Sequence, residues 1–389
     1  MAIKTAFLSF IALSFLSAVS SFAQAQTYTF MIPIKGMIAS DTPPAGASKI
    51  ECGSSQCYAL VDGSVWSVGN NGSGQLGRSG DTLTWEATTL SDVSDIAAGN
   101  AHVYALKSDG SVWSVGFNGF GQLGRNGTTT QSTWGDANLS GVSAIAAGAY
   151  HGYALKTDGS VWSVGYNDNG QLGWGGNQSE STWGDSGLSG VSDINAGFYH
   201  GYALKIDGRV WSVGSNAYGE LGREGTVDQS TWGDTGLSGV SEIASGLRHG
   251  FAIKTDSTVW SVGKNNYGQL GWGGTTDQST WGDAGLSGVS SIAAGNVHSY
   301  ALKTDGSVWS VGYNADGQLG LNGTTIQSPW GETILTGVSA ITSGDYHGYA
   351  HKTDGSVWSV GKNNVGQLGL GDTTGRSSWT ELKDPFITP

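Results

Sequence analysis

Six histidines recur in register along the chain: His102, His151, His200, His249, His298 and His347. Histidine exchanges protons near neutral pH, so a repeated one invites a catalytic reading. Catalysis would need a nucleophile or a carboxylate set uniquely beside one of them, and what surrounds one surrounds all. Six equivalents predict instead a structural side chain that opens a strand and hydrogen-bonds a neighbour. His351 is a singleton where every other repeat has Leu or Ile, and it reads as a tolerated substitution. Asn167-Asp168-Asn169-Gly170 offers calcium-like oxygens. It lacks the calcium-loop spacing and the closing glutamate, and Asn and Gly are the residues that turns with φ > 0 require.

Cys52 and Cys57 have no histidine pair at metal spacing, which argues against zinc. In an exported chain the pair predicts a local disulfide, with Cα atoms roughly 4.4–6.8 Å apart. These residues predict no enzyme, no cofactor and no metal.

The elements that must carry these residues are repeats. Val-Trp-Ser-Val recurs with its tryptophan at 66, 113, 162, 211, 260, 309 and 358, in steps of 47 and then 49. A second tryptophan follows each, at 85, 134, 183, 232, 281, 330 and 379. The third unit reads as four strands: 143–147 (a), 151–156 (b), 160–164 (c) and about 182–188 (d). Six of the seven b–c connections carry Asp-Gly, which predicts a turn with φ > 0 at both residues; the fifth has Asp256-Ser257. Four short strands per unit of this period predict a β-propeller blade that buries its faces on its neighbours. The fold class is therefore all-β, a seven-bladed β-propeller over residues 46–389. Ring closure is expected through a last strand, around 378–387, lying beside the first blade.

Ile145-Ala146-Ala147-Gly148-Ala149-Tyr150-His151-Gly152-Tyr153-Ala154-Leu155 and Gly165-Tyr166-Asn167-Asp168-Asn169-Gly170-Gln171-Leu172-Gly173 resemble the two signatures of the regulator-of-chromosome-condensation repeat family. The marks of Kelch and tryptophan-aspartate propellers are absent. The resemblance implies a seven-bladed propeller with four-stranded blades, in agreement with the count. The family's known nucleotide exchange on a nuclear GTPase, with chromatin binding, does not carry over to an exported acidic chain. In fold and compartment the chain is similar to the secreted bacterial member that inhibits β-lactamases. Departures from the pattern are Gln56 in place of the histidine, Glu220 in place of the usual glutamine, and His351.

Residues 1–25 read as a signal peptide: Lys4, an apolar run, then Ala23-Gln24-Ala25 as the cleavage site. Residues 26–45 form a lead segment. The expected location is secreted or periplasmic, without membrane insertion, and a monomer is expected. Removing Lys4 moves the formal charge from −13 to −14, which disfavours nucleic acid as a partner.

In a blade of this order, the a–b and c–d loops emerge on one face and the b–c turns on the other. The b–c turns are nearly uniform, whereas the other loops vary and carry Phe117, Phe120, Tyr150, Tyr166, Phe198, Tyr199, Tyr218, Arg248, Tyr267, Tyr313 and Tyr346, with Trp174 and Trp272 further on. Aromatic residues and Arg anchor interfaces. The sequence thus predicts a non-enzymatic module that binds an extracellular protein through this face. A carbohydrate-binding propeller is the alternative, and packing of each aromatic on its own neighbouring blade is the plain structural one.

Overall fold

Each tryptophan repeat folds as one four-stranded antiparallel sheet in strict chain order. The computed structural model describes residues 46–79 and 82–382, and all seven sheets lie within them. The first blade is Lys49–Cys52, Gln56–Val61, Ser64–Gly69 and Thr82–Ala87. The third is Val142–Ala147, His151–Lys156, Val161–Gly165 and Glu180–Asp185, and the seventh ends in Arg376–Glu381. The outer strand of the third blade begins earlier than its tryptophan suggests, because Gly165 pairs with Glu180 across a bulge. The a strands of all seven blades line one axial cavity of about 400 Å³.

Seven apolar clusters hold the ring, and each draws residues from two successive blades. The d-strand indole carries much of each seam. Trp183 packs on Tyr104 of the preceding blade, ring centroids 5.4 Å apart, and its Nε1 lies where a Cβ on Gly124 would stand, 2.2 Å away. The Gln-Leu-Gly element needs its last glycine for that contact, as well as for a φ of +68°.

Two expectations are corrected. The b–c turn has φ > 0 at both residues only in the first blade, Asp62 at 47° and Gly63 at 74°. The other units have one residue more, so the chain makes a turn followed by a bulge: Gly110 N–H donates to Lys107 O, Lys107 N–H donates to Ser111 O, and only Gly110 takes a positive φ, 80°. The second correction concerns closure. The last described strand, Arg376–Glu381, pairs inside its own blade with Val357–Gly361. The seventh blade meets the first by packing, Tyr349, Val357 and Leu382 against Cys52, Cys57, Ala59 and Trp85, and by one backbone bond from Gly371 N–H to Leu83 O. Each unit supplies its own four strands, so among the described residues no strand is left over to be shared. Residues 383–387 of the expected closing strand, the expected signal peptide and the lead segment lie outside the described residues.

Candidate functional site

The a–b loops are two-residue hairpin turns, closed for instance by Gly99 N–H donating to His102 O. None of the loop residues Asn100, Ala101, Ala149, Tyr150, Phe198, Tyr199, Leu247 or Arg248 has a positive φ, so any side chain is permitted. The c–d loops are fixed from below. Asn118 Oδ1 accepts Leu123 N–H (2.8 Å), and its Nδ2 donates to Gly127 O and Thr129 O. Gln122 Oε1 accepts Phe120 N–H at 3.0 Å. Asn167 serves its own turn in the same way, accepting Leu172 N–H at 2.8 Å, which explains the calcium-like run.

On this scaffold the predicted aromatics come together as two arcs. Phe117, Phe120 and Tyr150 touch mutually with centroids 5.3–6.1 Å apart. Tyr166 lies 4.8 Å from Phe120 and 5.4 Å from Tyr199, and Phe198 lies 4.5 Å from Tyr199. Arg248 then stacks over Tyr199 (5.7 Å) and Tyr218 (5.3 Å), and Lys264 covers Tyr218 at 4.7 Å. The second arc runs Tyr267–Tyr313–Tyr346 with centroids 4.9 and 6.2 Å apart, and Lys362 lies over Tyr346. Hydrogen bonds pin the phenols: Asn100 Nδ2 to Tyr150 Oη and Asn296 Nδ2 to Tyr346 Oη, both 3.0 Å. Phe120 is exposed and the other members are half-buried. They pack on one another across blade boundaries as well as on their own blades.

Trp174 and Trp272 do not join the arcs. Each indole Nε1 donates to a c-strand serine, Ser163 or Ser261, at 2.5 Å, which draws the ring to the outer wall of the blade. Lys264 and Lys362 escaped sequence reading although they occupy the same column as Phe117, Tyr166 and Tyr313, directly after the c-strand glycine. Reading that column by position would have found them.

The opposite face is uniform. Lys107, Lys156, Lys205, Lys254, Lys303 and Lys352 each cover the c-strand tryptophan of their own blade at 3.8–5.5 Å. The six histidines form an inner ring, fully buried, and burial pushes each imidazole down to about 3. His249 meets Ser299 Oγ, His298 meets Ser343 Oγ, and His347 meets Cys57 Sγ, each at 3.1 Å in the next blade. His102, His151 and His200 find no such side-chain partner. Gln56 fills the same place in the first blade and donates to Gly99 O and Asn100 O. His351 sits half-buried in strand b with Nε2 unpartnered and its basicity lowered by burial. The Cys52 and Cys57 sulfurs lie 2.14 Å apart, with Cα atoms at 4.1 Å. That is closer than expected, because the two residues face each other directly across the first hairpin. Their sulfurs lie beside His347, all buried, and because they are bonded to each other neither is a thiolate that could hold a metal. The described residues contain no helix long and apolar enough to cross a membrane.

The sequence model of the RCC1-like domain matches residues 32–280, and RCC1 repeats match residues 289–318 and 354–385. Among curated proteins no sequence matches the chain. Among solved structures, Prp20p of Saccharomyces cerevisiae superposes with a TM-score of 0.73 at 22% identity, over 88% of each chain. Yeast RCC1 (Prp20) bound to Kap60 gives 0.73 at 22%, over 84% of this chain and 85% of that one. Human WBSCR16 gives 0.70 at 22%, over 83% of this chain and 94% of that one.

Proposed function

This chain belongs to the RCC1-like domain family, and from that premise we propose that it is an exported, non-enzymatic module that binds an extracellular protein through the aromatic face. The supporting observation is the continuous arc from Phe117 to Lys264, which runs across four blades through ring contacts and stacked cations. Protein interfaces concentrate their energy in clustered aromatic and Arg residues of this kind. Prp20 is described bound to Kap60 and as binding Gsp1p and histones, so the fold presents protein-binding surfaces in a relative. The acidity of this chain directs the choice of partner away from nucleic acid.

Affinity capture from medium surrounding the producing cells tests the proposal. The intact protein should retain a partner that the paired change Phe198→Ala with Tyr199→Ala loses at unchanged fold, each ring contributing roughly 2 kcal/mol. Capture that survives this pair, but fails in well-folded variants of the opposite face, would refute the choice of face.

A further inference from the structure

Most seams of the ring share one backbone hydrogen bond between the c–d loop of one blade and the outer strand of the next. Asn126 N–H donates to Ser181 O, Gly175 to Ser230, Glu224 to Ser279, Asn322 to Ser377 and Gly371 to Leu83, at 2.8–3.3 Å. Three of these places also form isolated bridges, Trp174 with Thr231, Arg223 with Thr280 and Leu321 with Ser378. Two seams lack both the bond and the bridge among the described residues: blades one to two, where Ser79 faces Ser132 and Arg78 faces Thr133, and blades five to six, where Gly273 faces Ser328 and Trp272 faces Pro329. Pro329 stands where the second to fifth blades have Thr133, Thr182, Thr231 and Thr280. What sets the fifth-to-sixth seam apart from the first-to-second is therefore the residue itself: a proline ring, without an N–H, in place of threonine.

The unzipped seam holds a cavity of about 460 Å³, walled by Trp272, Trp309, Pro329 and Trp330 and edged by Asp283. That size falls within the roughly 300–1,000 Å³ of small-ligand sites, which combine apolar walls with a few polar groups. Trp309 Nε1 and Trp330 Nε1 are buried without partners; Trp330 Nε1 packs against Gly271. The Trp330 orphan is common to the d-strand indoles, whereas Trp309 is the one c-strand tryptophan so placed among the described residues. Asp283 spends one carboxylate oxygen on Gly285 N–H, at 2.8 Å.

We propose that this seam is a carbohydrate subsite that takes one neutral pyranose ring. The flat C–H face of a pyranose suits an indole wall, and hydroxyls suit the Asp283 carboxylate edge and the orphaned Trp309 Nε1. Anionic ligands are opposed by Asp283. A quaternary ammonium is opposed by Lys303, already 4.5 Å over Trp309. The subsite is distinct from the aromatic face and stands or falls without it.

Titration with methyl β-D-glucopyranoside, cellobiose and N,N′-diacetylchitobiose, followed by tryptophan fluorescence and ligand-observed NMR, tests the proposal. At least one should bind. Pro329→Thr, which restores the consensus residue and removes one apolar wall of the cavity, should weaken that binding at least tenfold with the melting temperature unchanged or raised. Asp283→Asn should weaken it severalfold, and Trp174→Ala at the third seam should leave it unchanged. Absence of binding by all three probes, equal binding by Pro329→Thr, or preferential binding of tetramethylammonium would overturn it.

Discussion

The guanidinium of Arg248, in an a–b loop of the fifth blade, stands 3.6 Å from the carboxylate of Glu220, in a c–d loop of the fourth. Glu220 is fully buried where the other units carry glutamine, and its side chain also accepts from Tyr218 N–H at 2.7 Å and Ser215 Oγ at 3.0 Å. Burial pushes its carboxyl above the usual range, while those hydrogen bonds and Arg248 pull it back. Two departures from the repeat, 28 positions apart, thus form one feature that also orients the cation stacked between Tyr199 and Tyr218.

Arg248→Ala should therefore cost about 2 kcal/mol, since it removes one partner of a buried carboxyl. Glu220→Gln combined with Arg248→Ala should recover most of that loss, because glutamine serves the other turns. Chemical denaturation of the three variants checks this, and equal losses in the single and double variants would contradict the pairing.

Acid should loosen the ring. The six buried histidines are held near 3, whereas an unfolded imidazole titrates near 6.5. Between those values the unfolded chain binds more protons, so stability is full above about pH 6.5 and is lost as pH falls toward 3. Each histidine contributes up to about 1.4 kcal/mol per pH unit. Glu51, Asp193, Glu242 and Asp345, raised by burial, oppose this at the acid end. Melting temperature should drop from pH 7 to 5, and replacing His102 and His151 by glutamine, as nature does at Gln56, should flatten the slope. An unaltered slope in that double variant would refute the assignment.

Ser257→Gly should stabilise the fifth blade by about 1 kcal/mol, the cost of a non-glycine residue in the left-handed region. Ser257 holds a φ of 65° where Gly110, Gly159, Gly208, Gly306 and Gly355 hold 79–87°. Thermal unfolding of the single variant measures it, and a fall in stability would contradict the turn geometry.

Denatured, unreduced protein should show no reactive thiol, with Cys52 and Cys57 joined. Serine at both positions should cost roughly 2 kcal/mol. It would also remove Cys57 from the first-to-seventh seam, where it meets His347. Two titratable thiols would refute the bond.

The blade plan was legible because seven copies repeat the same strand signals, and the aromatic column was legible because it varies against that constant ground. What escaped was pairwise. Nothing in the residue type of Arg248 announces Glu220 as its partner, and Pro329 reads as an ordinary surface change until its place on a seam is known. Turn geometry also escaped, because Asp-Gly looks the same whether one residue more or fewer precedes it. Trp174 and Trp272 were placed by loop membership, whereas a hydrogen bond to the c-strand serine decides where they lie.

Every described sheet is made from one uninterrupted stretch of chain, with no strand lent to another blade. The unit of inheritance and the unit of architecture therefore coincide, and a duplication that copies 49 residues copies one whole blade with both of its seams. A cut at any connection between blades divides no described sheet, so a circularly permuted form beginning at the third blade, with the first and seventh blades linked, keeps every described hydrogen-bonded ladder.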